Sequence, residues 1–136
     1  AKADTGNYGK VTFGMMEAYW PSVLVKKDAT PFEASHAKWY QRARKVVISH
    51  ATHPDLAKAI ATLRGESDKD AMIFGAPRLT QSLAALGLID EYLININPVL
   101  RGGGVRVFGE MPQAKLRLVS AKTFRCGVIG AHYAKA

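Results

Sequence analysis

The sequence predicts an α/β fold, a three-layer α/β/α arrangement with a mixed, mostly parallel central sheet and a C-terminal antiparallel hairpin. Three observations predict it. Short apolar or β-branched runs, Lys45–Ser49 and Ala71–Phe74, alternate with amphipathic stretches of helical length, Pro54–Leu63 and Pro77–Leu86. Those stretches carry helix punctuation, with Pro54 and Pro77 in the first turn and Gly65 and Gly87 after the end. The last quarter then changes to a period of two, so that Leu116 and Leu118 point one way and Lys115 and Arg117 the other. Strand–helix alternation implies right-handed crossovers and helices on both faces of a parallel sheet, and the late hairpin adds antiparallel pairs.

Taken in order, Thr12–Tyr19 reads as a helix with Thr12 as N-cap and Trp20-Pro21 as its stop. Pro21–His36, with prolines at 21 and 31, reads as the longest loop. The strand Lys45–Ser49 follows, then the helix Pro54–Leu63 with Leu56, Ile60 and Leu63 on one face. Ala71–Phe74 is a strand, and Gly75-Ala76 turns it into the helix Pro77–Leu86. Glu91–Asn97 is a strand ended by Pro98. Gly102-Gly103-Gly104 is a turn before a short strand around Val105–Phe108, and Lys115–Phe124 and Gly127–Tyr133 form the final hairpin. The 136 residues suit a single domain spanning residues 1–136.

Composition narrows the classes. Hydrophobic residues at 48% and charged residues at 22% suit a folded chain rather than a disordered one. No apolar run approaches the roughly 18–20 residues of a membrane span, and Ala1-Lys2-Ala3-Asp4 has no apolar signal core. Cys126 is the only cysteine, which excludes an intrachain disulfide and gives the expectation of a reducing, cytoplasmic setting. The net charge of +8 suggests an anionic partner. From Arg101 to Arg125 there are six basic residues against Glu110 alone, but they are spaced out, which disfavours a nuclear-type or polybasic membrane signal.

Three segments carry candidate chemistry. In Ile73-Phe74-Gly75-Ala76-Pro77-Arg78 a strand ends, a glycine turns and a helix starts, so backbone N–H groups and the positive end of the helix dipole meet at the strand's carboxyl end. A phosphate cradle with Arg78 beside it and an ordinary strand-to-helix turn both fit that pattern. Tyr8-Gly9-Lys10-Val11-Thr12-Phe13 repeats the logic with Lys10 as the cation, and here too a plain capped helix is the alternative. It is neither a Walker A loop nor G-x-G-x-x-G. The third segment, Asn97–Gly104, holds three successive glycines, either for close approach to a ligand or as a hairpin tip. His36, His50 and His53 lack the acids or cysteines of a metal set, so no metal is expected. Asp90 and Glu91 read as solvated or paired, Cys126 as structural, and Trp20, Trp39 and Tyr40 as core, with a stacking wall as the alternative.

In order along the chain, Tyr8–Phe13 with Met15-Met16 to Pro21, Lys45–Ser49, Phe74–Leu79, Leu86-Gly87-Leu88-Ile89-Asp90-Glu91, Asn97–Phe108, Leu116–Val119, Thr123-Phe124 and Gly127-Val128 resemble the dihydrofolate-reductase-like family, in its RibD C-terminal (riboflavin-biosynthesis reductase) branch. The resemblance implies binding of NADPH (NADP), and hydride transfer to a C=N or C=O of a pyrimidine, pterin or ribosylamino-type heterocyclic substrate. It gives Gly9, Lys10 and Thr12 the phosphate grip of the family's Gly-Arg-x-Thr element, with Lys10 in place of arginine. Ser49 and His50 stand where the family's Ser-Arg favours the adenosine 2′-phosphate, so NADH is not excluded. Gly75, Ala76, Pro77, Arg78 and Leu79 take the turn near the pyrophosphate and nicotinamide. Pro98, Gly102, Gly103 and Gly104 take a substrate-side loop.

The resemblance also implies a homodimer. Family members place a strand and a substrate-shaping loop ahead of the Gly-Arg-x-Thr helix, and this sequence starts almost at that helix. The expectation is therefore an N-terminally incomplete domain with no assignable proton donor. A non-catalytic dinucleotide-binding module is the alternative, and a basic nucleic-acid-binding domain the third reading.

Overall fold

A computed structural model describes residues 3–49, 53, 55–110 and 112–136. The chain divides into two compact units, Ala1–Thr80 and Gln81–Ala136.

The first unit is built on three parallel strands in the order β2-β1-β3, with β1 (Ala3–Tyr8), β2 (Arg44–Val47) and β3 (Asp70–Ile73). β1, the central strand, lies where the sequence shows only an approach to Gly9, so a strand does precede the first helix. Its polar residues hide it. Thr5 and Asn7 are buried at 7% and 4% exposure because partners on both edges and cover on both faces make this strand interior. Helix α1 (Lys10–Val23) starts two residues before Thr12 and runs past Trp20-Pro21. Gly9 occupies the N-cap in an extended conformation, and its carbonyl accepts from the Phe13 N–H at 2.9 Å, so Thr12 sits inside the first turn and is not the cap. Pro21 lies in the last turn, where it removes only its own N–H from the ladder.

The expected loop Pro21–His36 is also corrected, because helix α2 (Pro31–Arg42) begins within it. A capping box starts that helix. The Glu33 N–H donates to the Thr30 hydroxyl, and the Glu33 carboxylate accepts from the Thr30 N–H at 2.8 Å. β2 starts one residue earlier than Lys45–Ser49 and ends two earlier, leaving Ile48 and Ser49 beyond the strand. Helix α3 (Leu56–Gly65) is capped by Asp55, whose carboxylate accepts from the Lys58 N–H at 2.9 Å; Pro54 lies outside the described residues. The core of this unit is aromatic, with Tyr8 and Tyr40 essentially without exposure. Tyr8 lies edge-on to Tyr40 and near-parallel to Phe74.

Helix α4 (Pro77–Ala85) leads into the second unit. It ends in a Schellman motif, with Gly87 left-handed at φ 66. The Leu88 N–H returns to the Leu83 carbonyl and the Gly87 N–H to the Ala84 carbonyl, both at 2.9 Å. Strands β4 (Glu91–Ile96), β5 (Leu116–Thr123) and β6 (Ile129–Lys135) then form an antiparallel sheet in the order β4-β6-β5. Strand directions follow the expected order, parallel then antiparallel, but the hydrogen bonds form two three-stranded sheets rather than one mixed sheet. The strand expected around Val105–Phe108 is not formed. That segment is held instead by the Gln81 side chain, which donates to the Arg106 carbonyl at 2.7 Å, and by Phe108 packing edge-on to Tyr92.

Candidate functional site

Parallel pairing places the carboxyl ends of β1, β2 and β3 at one edge. Tyr8 pairs with Val47 and Asn7 with Ile73, and the Ile48 N–H donates to the Tyr8 carbonyl at 2.9 Å. The residues that follow, Gly9-Lys10, Ser49 and Gly75–Leu79, therefore meet at that edge. A Cβ added at Gly9 would stand 3.6 Å from the Ala76 Cβ, which brings the two glycine turns into van der Waals reach.

The turn before α4 has an uncommon shape. Gly75 (φ 58) and Ala76 (φ 44) are both left-handed, and the Ala76 conformation is costly for a residue with a Cβ. Two bonds hold it. The Thr80 N–H donates to the Ala76 carbonyl at 3.0 Å, and the Thr80 hydroxyl to the Gly75 carbonyl at 2.9 Å. A Cβ at Gly75 would meet no atom within 4 Å, so its outer side is open space that a ligand could approach.

Electrostatically this edge differs from the other helix starts. α2 and α3 begin with acidic side chains on their own N–H groups, Glu33 and Asp55. α1 has no side-chain cap, and neither α1 nor α4 carries an acid in its first turn. Exposed Lys10 and Arg78 stand there instead. A positive helix end with a cation beside it attracts an anion.

Behind the turns lie aromatic rings that the sequence does not place. Phe74 stacks on Tyr8 at 5.8 Å, and Phe13 reaches Tyr8 at 6.1 Å. Burial, with a smaller contribution from Glu17, pushes the Tyr8 phenol up to about 12. Burial likewise raises Tyr40, whose hydroxyl donates to Glu17 at 2.7 Å. The Tyr8 hydroxyl and the Asn7 side-chain oxygen are buried without a hydrogen-bond partner among the described residues.

Of the other expected site residues, His50 lies outside the described residues. Pro98 and Gly102–Gly104 belong to the second unit and are exposed. Gly102 is left-handed at φ 71, and Pro98 packs beside Gly127, where a Cβ would come within 3.2 Å of it. His36 is half-buried and flanked by aromatic rings. Among the described residues, no group of three His, Cys, Asp or Glu could hold a metal ion, and no helix is long and apolar enough to cross a membrane.

A three-stranded parallel sheet with glycine turns at its carboxyl edge, followed by a three-stranded antiparallel sheet, defines an α/β protein of the dihydrofolate-reductase-like kind. The chain belongs to the RibD C-terminal domain family, whose model matches residues 9–130. It is 26% identical over 137 residues to the uncharacterized protein YyaP of Bacillus subtilis (strain 168), covering 93% of this chain and 71% of that protein. Among solved structures it is similar to a riboflavin biosynthesis protein from Shewanella sp. PV-4, at TM-score 0.69 and 21% identity, covering 99% of this chain and 75% of that one. A pyrimidine reductase-like protein from Corynebacterium diphtheriae matches at TM-score 0.63 and 18% identity, covering 98% and 76%. RibD from Acinetobacter baumannii matches at TM-score 0.60 and 14% identity, covering 98% of this chain and 47% of that one. At these identities the structural likeness is one of fold.

Proposed function

We propose that the chain is an NADPH-binding reductase domain that reduces a C=N or C=O of a pyrimidine, pterin or ribosylamino-type heterocycle. The observation that carries this reading is the pair of glycine turns at one sheet edge, each opening a helix that has a cation and no acid in its first turn. Family membership supports it. The residues fit the cofactor: the open side of Gly75 admits a phosphate to the backbone, and the uncapped start of α1 offers N–H donors.

When bound, NADPH supplies the hydride. Lys10 and the first turn of α1 hold one phosphate group, and the left-handed Gly75-Ala76 turn with Arg78 holds another. Ser49, two residues past β2, meets the adenosine side in this reading. Holding both ends fixes the position of the nicotinamide, which is the chain's contribution to rate.

The test is thermal shift with NADPH and NADH, followed by turnover over a pyrimidine and pterin panel. NADPH at 100 times its dissociation constant stabilises by about 2.7 kcal/mol. Lys10→Ala is expected to weaken binding about tenfold or more, the scale of one charge-assisted contact. No shift with either nucleotide would overturn the cofactor reading. Binding without turnover would favour a non-catalytic module. A reducing compartment, the cytoplasm, suits the single, exposed Cys126.

We also propose that a second copy of the chain covers the antiparallel sheet. β5 is exposed along its whole length, and Leu93 (69%) and Phe124 (42%) lie open on the sheet face that carries Gly130 and His132. Light scattering should give a dimer mass, and Leu93→Arg should convert it to monomer.

A further inference from the structure

The imidazole of His36 is half-buried in an open box of aromatic rings, with exposed Phe32 at its outer side. Ring centroids lie 4.2 Å away at Trp20, 5.4 Å at Trp39, 5.5 Å at Phe74 and 6.0 Å at Phe32. The box joins α1, α2 and the residue that follows β3. It does not end there, because Phe74 stacks on Tyr8 with planes 13° apart. Phe74 directly precedes Gly75, and Tyr8 directly precedes Gly9. A continuous line of packed rings therefore leads from His36 to both glycine turns.

We propose that this box is a proton-operated device: uptake of one proton by His36 displaces Phe74 and Tyr8 and so reshapes the Gly9 and Gly75 turns. As regulation of a cofactor edge it rests on the function proposed above. As a conformational link between His36 and the turns it does not.

The physical reason is that a neutral imidazole packs among rings like any small aromatic, whereas an imidazolium needs water or a counter-charge. Cation–π attraction to Trp20 and Trp39 offsets part of that need. Burial still wins, holding His36 below its ordinary value of 6.5, and burial is the only cause. The titratable groups nearby are already engaged. On α1, the Tyr19 hydroxyl donates to Glu33 at 3.1 Å and Glu17 accepts from Tyr40. On α2, Glu33 is tied into the capping box and pairs with Lys26 at 3.7 Å. On β3, Asp70 is at the far end of the strand. Glu17 and Glu33 are each held on another partner, so a charged ring gains by moving further out into the solvent it already touches. Packed rings transmit such a movement because a close-packed core does not deform continuously.

The experiment uses the whole chain without nucleotide. Both of its tryptophans touch His36, so intrinsic fluorescence reports on the surroundings of that ring, and the His36 variants assign the signal. From about pH 7.5 to about pH 5, emission should fall with a midpoint below 6.5. In ¹⁵N–¹H spectra the amides of Gly9 and Gly75 should shift with the same midpoint. Both titrations should vanish in His36→Phe. His36→Gln serves as a second variant should the larger ring disturb packing. A fluorescence titration that leaves the Gly9 and Gly75 amides still would overturn the proposal, as would one that survives in both variants. NADPH affinity should weaken about fivefold or more below the midpoint, the low end of ordinary coupling between sites. Failure of NADPH to bind at any pH would overturn the function, and the glycine titration would then decide the device by itself.

Discussion

Tyr8→Phe is expected to stabilise the protein. The Tyr8 side chain is fully buried, and its hydroxyl has no partner among the described residues. An unsatisfied buried hydroxyl costs about 1–3 kcal/mol relative to water. Removing it leaves a void of about one oxygen atom, which returns only a few tenths of a kcal/mol as a penalty. Phenylalanine keeps the stacking on Phe74 and the edge contact with Tyr40, since both use the ring. The net gain is about 1–2 kcal/mol. Unfolding entropy of about 2.1 cal/mol/K per residue over 136 residues converts this to a rise in Tm of roughly 3–7 °C. The assay is urea unfolding followed by circular dichroism, with calorimetry for Tm, and the m value should not change. A loss of about 1 kcal/mol or more would refute the reasoning, because it would show that the hydroxyl is satisfied in solution.

The remaining predictions concern glycines and caps. Gly6→Ala should destabilise by about 3 kcal/mol or more, since its Cβ would come 2.7 Å from the buried Tyr8 ring. In a Tyr8→Ala background that penalty should largely disappear, which a double-mutant cycle of unfolding energies would measure. Gly75→Ala should cost only about 1–2 kcal/mol, the backbone penalty of a left-handed residue, because its Cβ meets nothing within 4 Å. Its larger effect should be on NADPH affinity, read by titration of the variant. Thr30→Ala should cost about 1 kcal/mol through loss of the α2 cap. The Thr30 N–H first, then its hydroxyl and Tyr19, hold the Glu33 carboxyl down to about 2 from 4.5. A folded value below the unfolded one means this contribution is full above pH 4.5 and is lost as pH falls through about 2. Acid unfolding of Thr30→Ala should keep most of that component, because the residue-30 N–H remains, whereas Glu33→Gln should lack it.

Much of the fold is legible in the sequence because local signals and the structure agree. Gly87 reads as a helix stop and is the left-handed residue of a Schellman motif. Pro77 reads as a first-turn residue and opens α4. Helix α2 also carries a local signal, Thr30-Pro31-Phe32-Glu33, a capping-box spacing that the prolines at 21 and 31 disguise as loop. β1 is not legible. Asp4-Thr5-Gly6-Asn7 has neither β-branched density nor alternation, and it is a strand because β2 and β3 pair with it on both edges.

The residue types of the candidate site are therefore a matter of sequence: glycines for open turns, Lys10 and Arg78 for charge, prolines and caps for helix starts. These are properties of short segments, and short segments are what a sequence specifies directly. Only the tertiary structure decided that the Gly9 and Gly75 turns lie side by side, because parallel pairing between segments distant in the chain has no local signature. It alone decided that Ala76 is left-handed, and that Tyr8, Phe74 and His36 form one line of rings, since such packing is set by cover from several elements at once.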